Sequence, residues 1–346
     1  MIICRTPFRI SFFGGATDYP EWYRVHGGAT LATAINKYCY ITCRVLPPFF
    51  AHRIRLVYSV IENCQAISDI KHPAARAVLR HLNIEHGIEI HHDADLPARS
   101  GIGSSSAFTV GLLHAGYALQ GHLASREQLA RESIHIEQEV LRETVGSQDQ
   151  VLAAYGGFNH LTFPRAGDID VRPVALAKER LELLESHLML FYTGITRTAS
   201  SVAETYVPYL RDTLREGLMK TIRAMVDEGL AIVCDGRDIE RFGTLLHEAW
   251  DAKRELGASV SNPEVEAIYR RARRVGATGG KLVGAGGGGF LLLFVPPPAQ
   301  LRVRLELSTL VHVPFRFEFG GSRIVLAERE EEYDASCDRI ALRSAT

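Results

Sequence analysis

The chain has little of what most specialised binding surfaces require. Charge of one sign is not in excess, since 39 Lys and Arg face 40 Asp and Glu over 346 residues, for a net charge of -1. Both signs are scattered, so a nucleic-acid or anionic-membrane partner, whose affinity would come from phosphate neutralisation, is excluded. No apolar run is long enough to span a bilayer. The longest, Leu282 to Pro298, holds five glycines and ends in Pro296, Pro297 and Pro298, which cannot make the roughly 20-residue helix required. Met1 to Pro7 lacks the charged segment, apolar stretch and small-residue cleavage site of a secretory leader, so a mature chain starting here, in the cytoplasm, is expected. Cysteines are few and spread: Cys4, Cys39, Cys43, Cys64, Cys234 and Cys337, of which only Cys39 and Cys43 are close. That spacing is not a zinc pair, and the six read as buried free thiols. No Gly-x4-Gly-Lys-Ser/Thr occurs, which removes the P-loop nucleotide fold.

What is present is an ordinary globular chain, 46% hydrophobic and 23% charged, long enough for two domains and apolar enough to offset the entropy of ordering. The first hundred residues read mostly as strands: Ile2 to Phe13, Leu31 to Leu46 and Arg53 to Val60 are rich in Ile, Val, Thr, Tyr and Phe. A helix with Pro in its first turn covers Pro73 to Asn83, before a strand at 88–92. Ser104 to Leu119 is small and apolar almost all round, a helix buried in the domain and stopped by Gly121. Ser125 to Gln128 has a capping-box pattern opening a helix that runs to about Glu143. A domain boundary falls near 180, giving domains 1–180 and 181–346. Helical stretches follow at 199–232, broken near Pro208, at 237–256, and after Asn262-Pro263. Strand Phe290 to Val295 and a β-like segment at 311–326 complete a second α+β unit.

Four segments carry chemistry. In Leu96 to Ala107, Gly101 and Gly103 let successive N–H groups point into one concavity at a helix N-terminus, which is a phosphate cradle, and Ser104, Ser105 and Ser106 add hydroxyls for phosphate or a metal. The run Gly284 to Gly289 matches Gly-x-Gly-x-x-Gly, yet it precedes a strand instead of opening a helix, so it is not a dinucleotide fingerprint. Four consecutive glycines there suit a close backbone approach to a ligand. In Pro7 to Tyr19, Arg9 sits inside an apolar strand and demands an anionic partner, and Asp18 follows the Gly14-Gly15 turn. Glu137 and Glu139 lie on a helix, and Asp149 lies just past Gly146 in a loop.

Taken together, these segments resemble, in sequence order, the three signatures of the GHMP kinase superfamily (galactokinase, homoserine kinase, mevalonate kinase, phosphomevalonate kinase). Pro7, Arg9, Gly14, Thr17, Asp18 and Tyr19 fall in register with the galactokinase motif; the loop around Gly101 to Ser105 is similar to Pro-x3-Gly-Leu-Gly-Ser-Ser-Ala, with Ile102 and Ser106 as departures; Lys281 to Gly289 resembles Lys-x-x-Gly-x-Gly-Gly-Gly. The resemblance implies an α+β two-domain GHMP kinase fold, with an N-terminal domain like ribosomal protein S5 domain 2 and a ferredoxin-like C-terminal domain. It implies ATP and Mg²⁺ as cofactors. ATP would be held by Pro97, Arg99, Ser100, Gly101, Ile102, Gly103, Ser104, Ser105 and Ser106, and the metal by Ser105 and Glu137, with Glu139 facing elsewhere. Asp149 would be the base, with Arg9 beside it, and the acceptor would meet Gly14, Gly15, Thr17, Asp18, Gly286, Gly287 and Gly288.

Galactokinases carry Glu-His where this chain has Gly15-Ala16, which removes two polar contacts and makes galactose a poor fit. The segments Thr6 to Tyr23 and Thr193 to Ser200 are similar to the branch that phosphorylates D-glycero-D-manno-heptose 7-phosphate at its anomeric hydroxyl, toward nucleotide-activated heptose for lipopolysaccharide or capsule. A phosphosugar acceptor needs a cation, and Arg197 is the candidate. Partners are thus ATP and a phosphosugar, and a homodimer stays open. The rivals are another sugar kinase such as an L-fucose kinase, a non-catalytic sugar sensor, which would not need Asp149, Glu137 and Ser105 together, and a dinucleotide-binding protein.

Overall fold

Alternating and continuous apolar runs in the first 45 residues build one long hairpin, and everything else is arranged about it. The computed structural model describes residues 1–84, 86–195 and 199–328. In chain order the first part holds β1 (Ile2–Phe13), α1 (Pro20–His26), β2 (Gly28–Val45), β3 (Ile54–Val57), β4 (Ile61–Cys64), α2 (Pro73–His81) and β5 (Ile88–Ala94). Then come α3 (Ser104–Leu119), α4 (Arg126–His135), α5 (Gln148–Tyr155), β6 (Phe158–Phe163), β7 (Asp170–Pro173) and α6 (Lys178–Ser186). The second part runs β8 (Leu188–Tyr192), α7 (Ala199–Ala203), α8 (Thr213–Cys234), α9 (Glu240–Arg254), α10 (Pro263–Arg274), β9 (Gly279–Leu282), β10 (Phe290–Phe294), α11 (Gln300–Glu306), β11 (Val311–Val313) and β12 (Arg323–Ala327).

The larger sheet has the order β12-β1-β2-β5-β3-β4, with β6 and β7 continuing from β2, and only β3 and β5 pair in parallel. Helices α3 and α5 pack on β1 and β2. α3 is apolar because it is enclosed: Val110, Leu112, Leu113 and Ala115 are fully buried, and a side chain at Gly111 would press on Thr6 and Ile41. The smaller sheet is antiparallel in the order β11-β8-β10-β9, the arrangement of a ferredoxin-like unit. Both caps read from the sequence form, with Asn262 accepting from Glu264 and Val265 N–H and Ser125 from Gln128 N–H, although the Gln128 side chain bonds Glu132 and does not close the box.

Four expectations are corrected. The segment 311–326 does not stay in the second unit: β11 ends the small sheet, then Phe317 bridges to Ile35 and β12 pairs with β1. The outer edge of β1 offers a row of unpaired backbone groups, and β12 satisfies them, so the first domain recovers chain from beyond residue 313. Asp149 lies not in a loop but in the first turn of α5. The helix expected to reach Glu143 stops as an α-helix at His135 and continues as a π turn over Ile136–Val140. Cys234 is exposed, whereas Cys4, Cys39, Cys43 and Cys64 are buried free thiols; Cys337 lies outside the described residues.

The two parts share one hydrophobic core. Phe12 and Phe13, at the end of β1, meet Phe242 of α9 with ring centroids 5.4 and 4.9 Å apart, and Phe12 also meets Phe158 edge-on at 5.9 Å. Phe12→Ala should therefore cost about 3–5 kcal/mol in urea unfolding and loosen both parts together. A cost under about 1 kcal/mol would show that this contact does not join them.

Candidate active site

Arg9 is the buried cation that needed an anion. Its Nε donates to Asp149 Oδ1 at 2.7 Å and a terminal nitrogen donates to Oδ2 at 2.6 Å, a bidentate pair. Its other terminal nitrogen donates to Gly101 O at 2.6 Å, and its backbone N–H to Ile102 O at 3.1 Å. Strand β1, the first turn of α5 and the Gly-Ser loop thus converge on one guanidinium. Gly103 lies beside the pair with a φ of 74°, a conformation that favours glycine, and a Cβ there would stand 3.3 Å from Arg9 Cγ.

The loop turns through three left-handed residues, Arg99 (φ 58°), Gly101 (φ 82°) and Gly103 (φ 74°), and delivers the N-terminus of α3. Ser104, Ser105, Ser106, Arg99, Gly101 and Gly103 line a cavity of about 410 Å³ that also holds Arg9 and Asp149. The first-turn N–H groups and helix dipole favour an anion there. Three loop residues play a supporting part. Pro97 O accepts from Ser100 Oγ at 2.5 Å, and Ser100 and Ile102 are fully buried.

The second glycine run is the surface on which this loop is seated. A Cβ on Gly284 would overlap the Gly101 backbone, and one on Gly289 would overlap Ser100 O; Phe290 N–H donates to Ser100 O at 3.3 Å. This corrects the expectation for Gly286, Gly287 and Gly288. Gly286 and Gly287 pack on and bond to Val260 O, and Gly288 packs on Ile195, while the cavity is lined instead by Gly284 and Ala285. Their freedom serves backbone packing against neighbouring loops.

Glu137 is fully buried in the π turn. Its Oε2 accepts from Ser106 Oγ at 2.8 Å and Gln150 Nε2 at 2.5 Å, and its Oε1 has no hydrogen-bond partner. Burial pushes its carboxyl up to about 7, against the hydrogen bonds that its Oε2 accepts. The hydroxyl that reaches Glu137 is thus Ser106, whereas Ser105 is exposed at the cavity wall. Glu139 faces elsewhere as expected, with its side chain 59% exposed beside Arg24. An unpartnered buried carboxylate oxygen near hydroxyls suits a hard cation that takes its remaining ligands from phosphates and water. Among the described residues no group of three or more His, Cys, Asp or Glu is placed to hold a metal ion.

At the other end the cavity is lined by Gly15, Ala16, Asp18, Tyr19, Tyr206, Lys253 and Lys281. Asp18 is buried, accepting from Ala16 N–H at 3.2 Å and Gln148 N–H at 3.4 Å, and Gly146 gives its carboxylate room. Gly14 and Thr17 prove to be structural. Gly14 (φ 81°) would drive a Cβ into Ala29 O, and Thr17 Oγ1 bonds Gly14 O at 2.7 Å and Ala29 O at 2.8 Å. Arg197 lies outside the described residues. Lys253 and Lys281 were not singled out as site residues, though each carries the same signal as Arg9. Lys253 continues the buried face of α9 set by Leu246, Ala249 and Trp250, and Lys281 sits in the buried strand β9. The far wall is aromatic, with Phe108 against His72 at 4.6 Å and His92 at 5.1 Å.

Known proteins place the chain in a family. Residues 68–157 match the GHMP kinases N terminal domain and residues 228–311 the GHMP kinases C terminal family, about half of the chain together. The chain belongs to the GHMP kinases. This GHMP kinase is 28% identical over 294 residues to the D-glycero-alpha-D-manno-heptose 7-phosphate kinase of Campylobacter jejuni, covering 82% of this chain and 86% of that one. It is 28% identical over 322 residues to the L-fucokinase/L-fucose-1-P guanylyltransferase of Bacteroides fragilis, covering 82% of this chain and 33% of that one. In fold it is similar to a D-glycero-D-manno-heptose 1-phosphate kinase from Bacteroides thetaiotaomicron, with a TM-score of 0.77 and 22% identity over 95% of this chain and 100% of that one. Among the described residues no helix is long and apolar enough to cross a membrane.

The GHMP kinase pays a measurable cost for its buried acceptor-side carboxyl. Burial first, then the charge of Asp149, push Asp18 from 3.8 up to about 6. Between those values the folded protein keeps a proton that the unfolded chain has released, so stability falls as pH rises through the window. Asp18→Asn should unfold like wild type below about pH 4 and resist urea more than wild type above about pH 6, by up to roughly 3 kcal/mol. A stability difference that is constant with pH would refute the assignment.

Proposed function

We propose that the chain transfers the γ-phosphoryl group of ATP to the anomeric hydroxyl of D-glycero-D-manno-heptose 7-phosphate, giving the 1,7-bisphosphate in nucleotide-heptose biosynthesis for lipopolysaccharide or capsule. The kinase chemistry rests on one observation, that the Arg9–Asp149 pair is seated on the phosphate loop within a single cavity. The acceptor rests on the small Gly15 and Ala16 at the cavity wall and on likeness to the Campylobacter jejuni enzyme.

The N-terminus of α3, with the loop N–H groups and the Ser104 and Ser105 hydroxyls, would hold the phosphates of ATP. The rings of Phe108, His72 and His92 would offer the adenine base an aromatic wall. Ser105 and Glu137 would hold Mg²⁺, which when bound neutralises charge on the β- and γ-phosphates. Asp149 accepts the proton of the attacking anomeric hydroxyl, and Arg9 fixes the carboxylate at two points so that it meets the hydroxyl in one orientation. The anomeric oxygen then bonds to the γ-phosphorus as the bond to the β-bridging oxygen breaks, and ADP leaves.

A second reading, L-fucose as acceptor, is favoured by the 28% identity to the Bacteroides fragilis fucokinase. Mass spectrometry of products from ATP-Mg with heptose 7-phosphate, heptose, fucose and mannose separates the two. Dominant turnover of an unphosphorylated sugar would sink the first reading. Asp149→Asn should lose at least about 10² in turnover with little change in KM for ATP, and a variant within fivefold of wild type would deny Asp149 the proton. Glu137→Gln should remove turnover while sugar binding, read by calorimetry, stays nearly intact; full activity in that variant would move the metal elsewhere.

A further inference from the structure

Lys253 is 6% exposed and lines the cavity, and an ammonium so enclosed needs anionic compensation. The protein supplies little. Among the described residues the hydrogen-bond partner of its Nζ is the neutral carbonyl of Gly284, which leaves two of three donors unused. The nearby carboxylates are committed: both oxygens of Asp149 accept from Arg9, and those of Asp18 accept backbone N–H groups. Two further cations, Lys281 and Arg9, stand on the same wall. Lys281 is tied by a bond of 2.8 Å to Phe12 O. Arg9 is answered by Asp149, whereas the two lysines are held by neutral carbonyls.

The position of Lys253 decides which anion completes it. Its neighbours on α9, Trp250 and Ala252, pack in one cluster with Ala16, Tyr19 and Tyr206, the groups of the acceptor end. Its bond to Gly284 also joins it to the loop beneath the catalytic pair. Gly284 lies on Gly101, whose carbonyl holds Arg9, which holds Asp149.

We propose that Lys253 is a specificity-determining residue that binds the phosphate already carried by the acceptor. The inference rests on the phosphosugar reading above. An arriving dianion would restore the ordinary basicity of the lysine, which burial first, and Arg9 next, hold down at about 8, against the opposing influence of Asp18 and Asp149. Lys281 is depressed by Lys253 in turn, after burial.

The test compares heptose 7-phosphate with unphosphorylated heptose in wild type, Lys253→Met and Lys253→Arg. Wild type is expected to prefer the phosphorylated acceptor. Lys253→Met should raise KM for heptose 7-phosphate at least 30-fold, change kcat/KM for heptose less than threefold and leave KM for ATP within threefold, while Lys253→Arg recovers most of the loss. The KM of wild type for the phosphosugar should also rise above about pH 8, and that rise should vanish in the methionine variant. A methionine variant that keeps the preference for the phosphorylated sugar overturns the inference and leaves the substrate reading standing. A raised KM for ATP overturns it by assigning Lys253 to the nucleotide. Absence of any preference in wild type overturns the substrate reading, and the inference with it. Cooperative unfolding of the methionine variant at the wild-type Tm separates all of these from a failure to fold.

Discussion

The site depends on a single obligation, that a guanidinium buried in strand β1 must be paired on every side it presents. Arg9 meets it with both oxygens of Asp149 and with Gly101 O. Each partner belongs to a different element, so one side chain sets the distance between the sheet, the first turn of α5 and the phosphate loop. An unpaired charge there would cost several kcal/mol, and the register of the three elements is fixed by avoiding it. The chemistry of the pair follows from the same constraint, since a carboxylate held at two points faces the cavity in one orientation.

The second constraint is steric. Two glycine-rich loops meet backbone to backbone where Gly101 faces Gly284 and Ser100 faces Gly289, at separations a Cβ would not allow. The phosphate loop of one part is thereby seated on the β9–β10 turn of the other, and Phe12, Phe13 and Phe242 continue the contact as a shared core. Such an interface tolerates little sliding, because backbone atoms have no rotamers with which to yield. The cavity walls supplied by the two parts are thus held at a fixed separation.

Much of this could be read in the chain, and what could not has physical reasons. Strand β1, the all-apolar helix α3, the Ser125 and Asn262 caps and the loop at Gly101 are local features, set by periodicity and by side chains a few residues apart. The demand of Arg9 for an anion was legible, but its satisfaction by a residue 140 positions away was carried only by resemblance to a family. The return of β12 to β1 was missed because its driving force, an unsatisfied strand edge, belongs to the other end of the chain. Gly286, Gly287 and Gly288 were misassigned because four glycines announce a close approach without saying to what. The π turn escaped notice because the Glu137 segment has ordinary helical composition.

The charges of the cavity form a system, not a set of independent residues. Arg9, Arg99, Lys253 and Lys281 line it together with Asp18, Glu143 and Asp149. Burial raises Asp18 and Glu143 toward neutrality and lowers Lys253 and Lys281, so desolvation works on both signs to thin out charge in the cavity. Four cationic side chains set against three carboxyls bias the cavity toward positive potential, which suits a triphosphate far better than a neutral metabolite. The carboxylate of this set that is locked to an arginine is Asp149, held at both oxygens by Arg9 and so fixed in place against the other charges of the cavity.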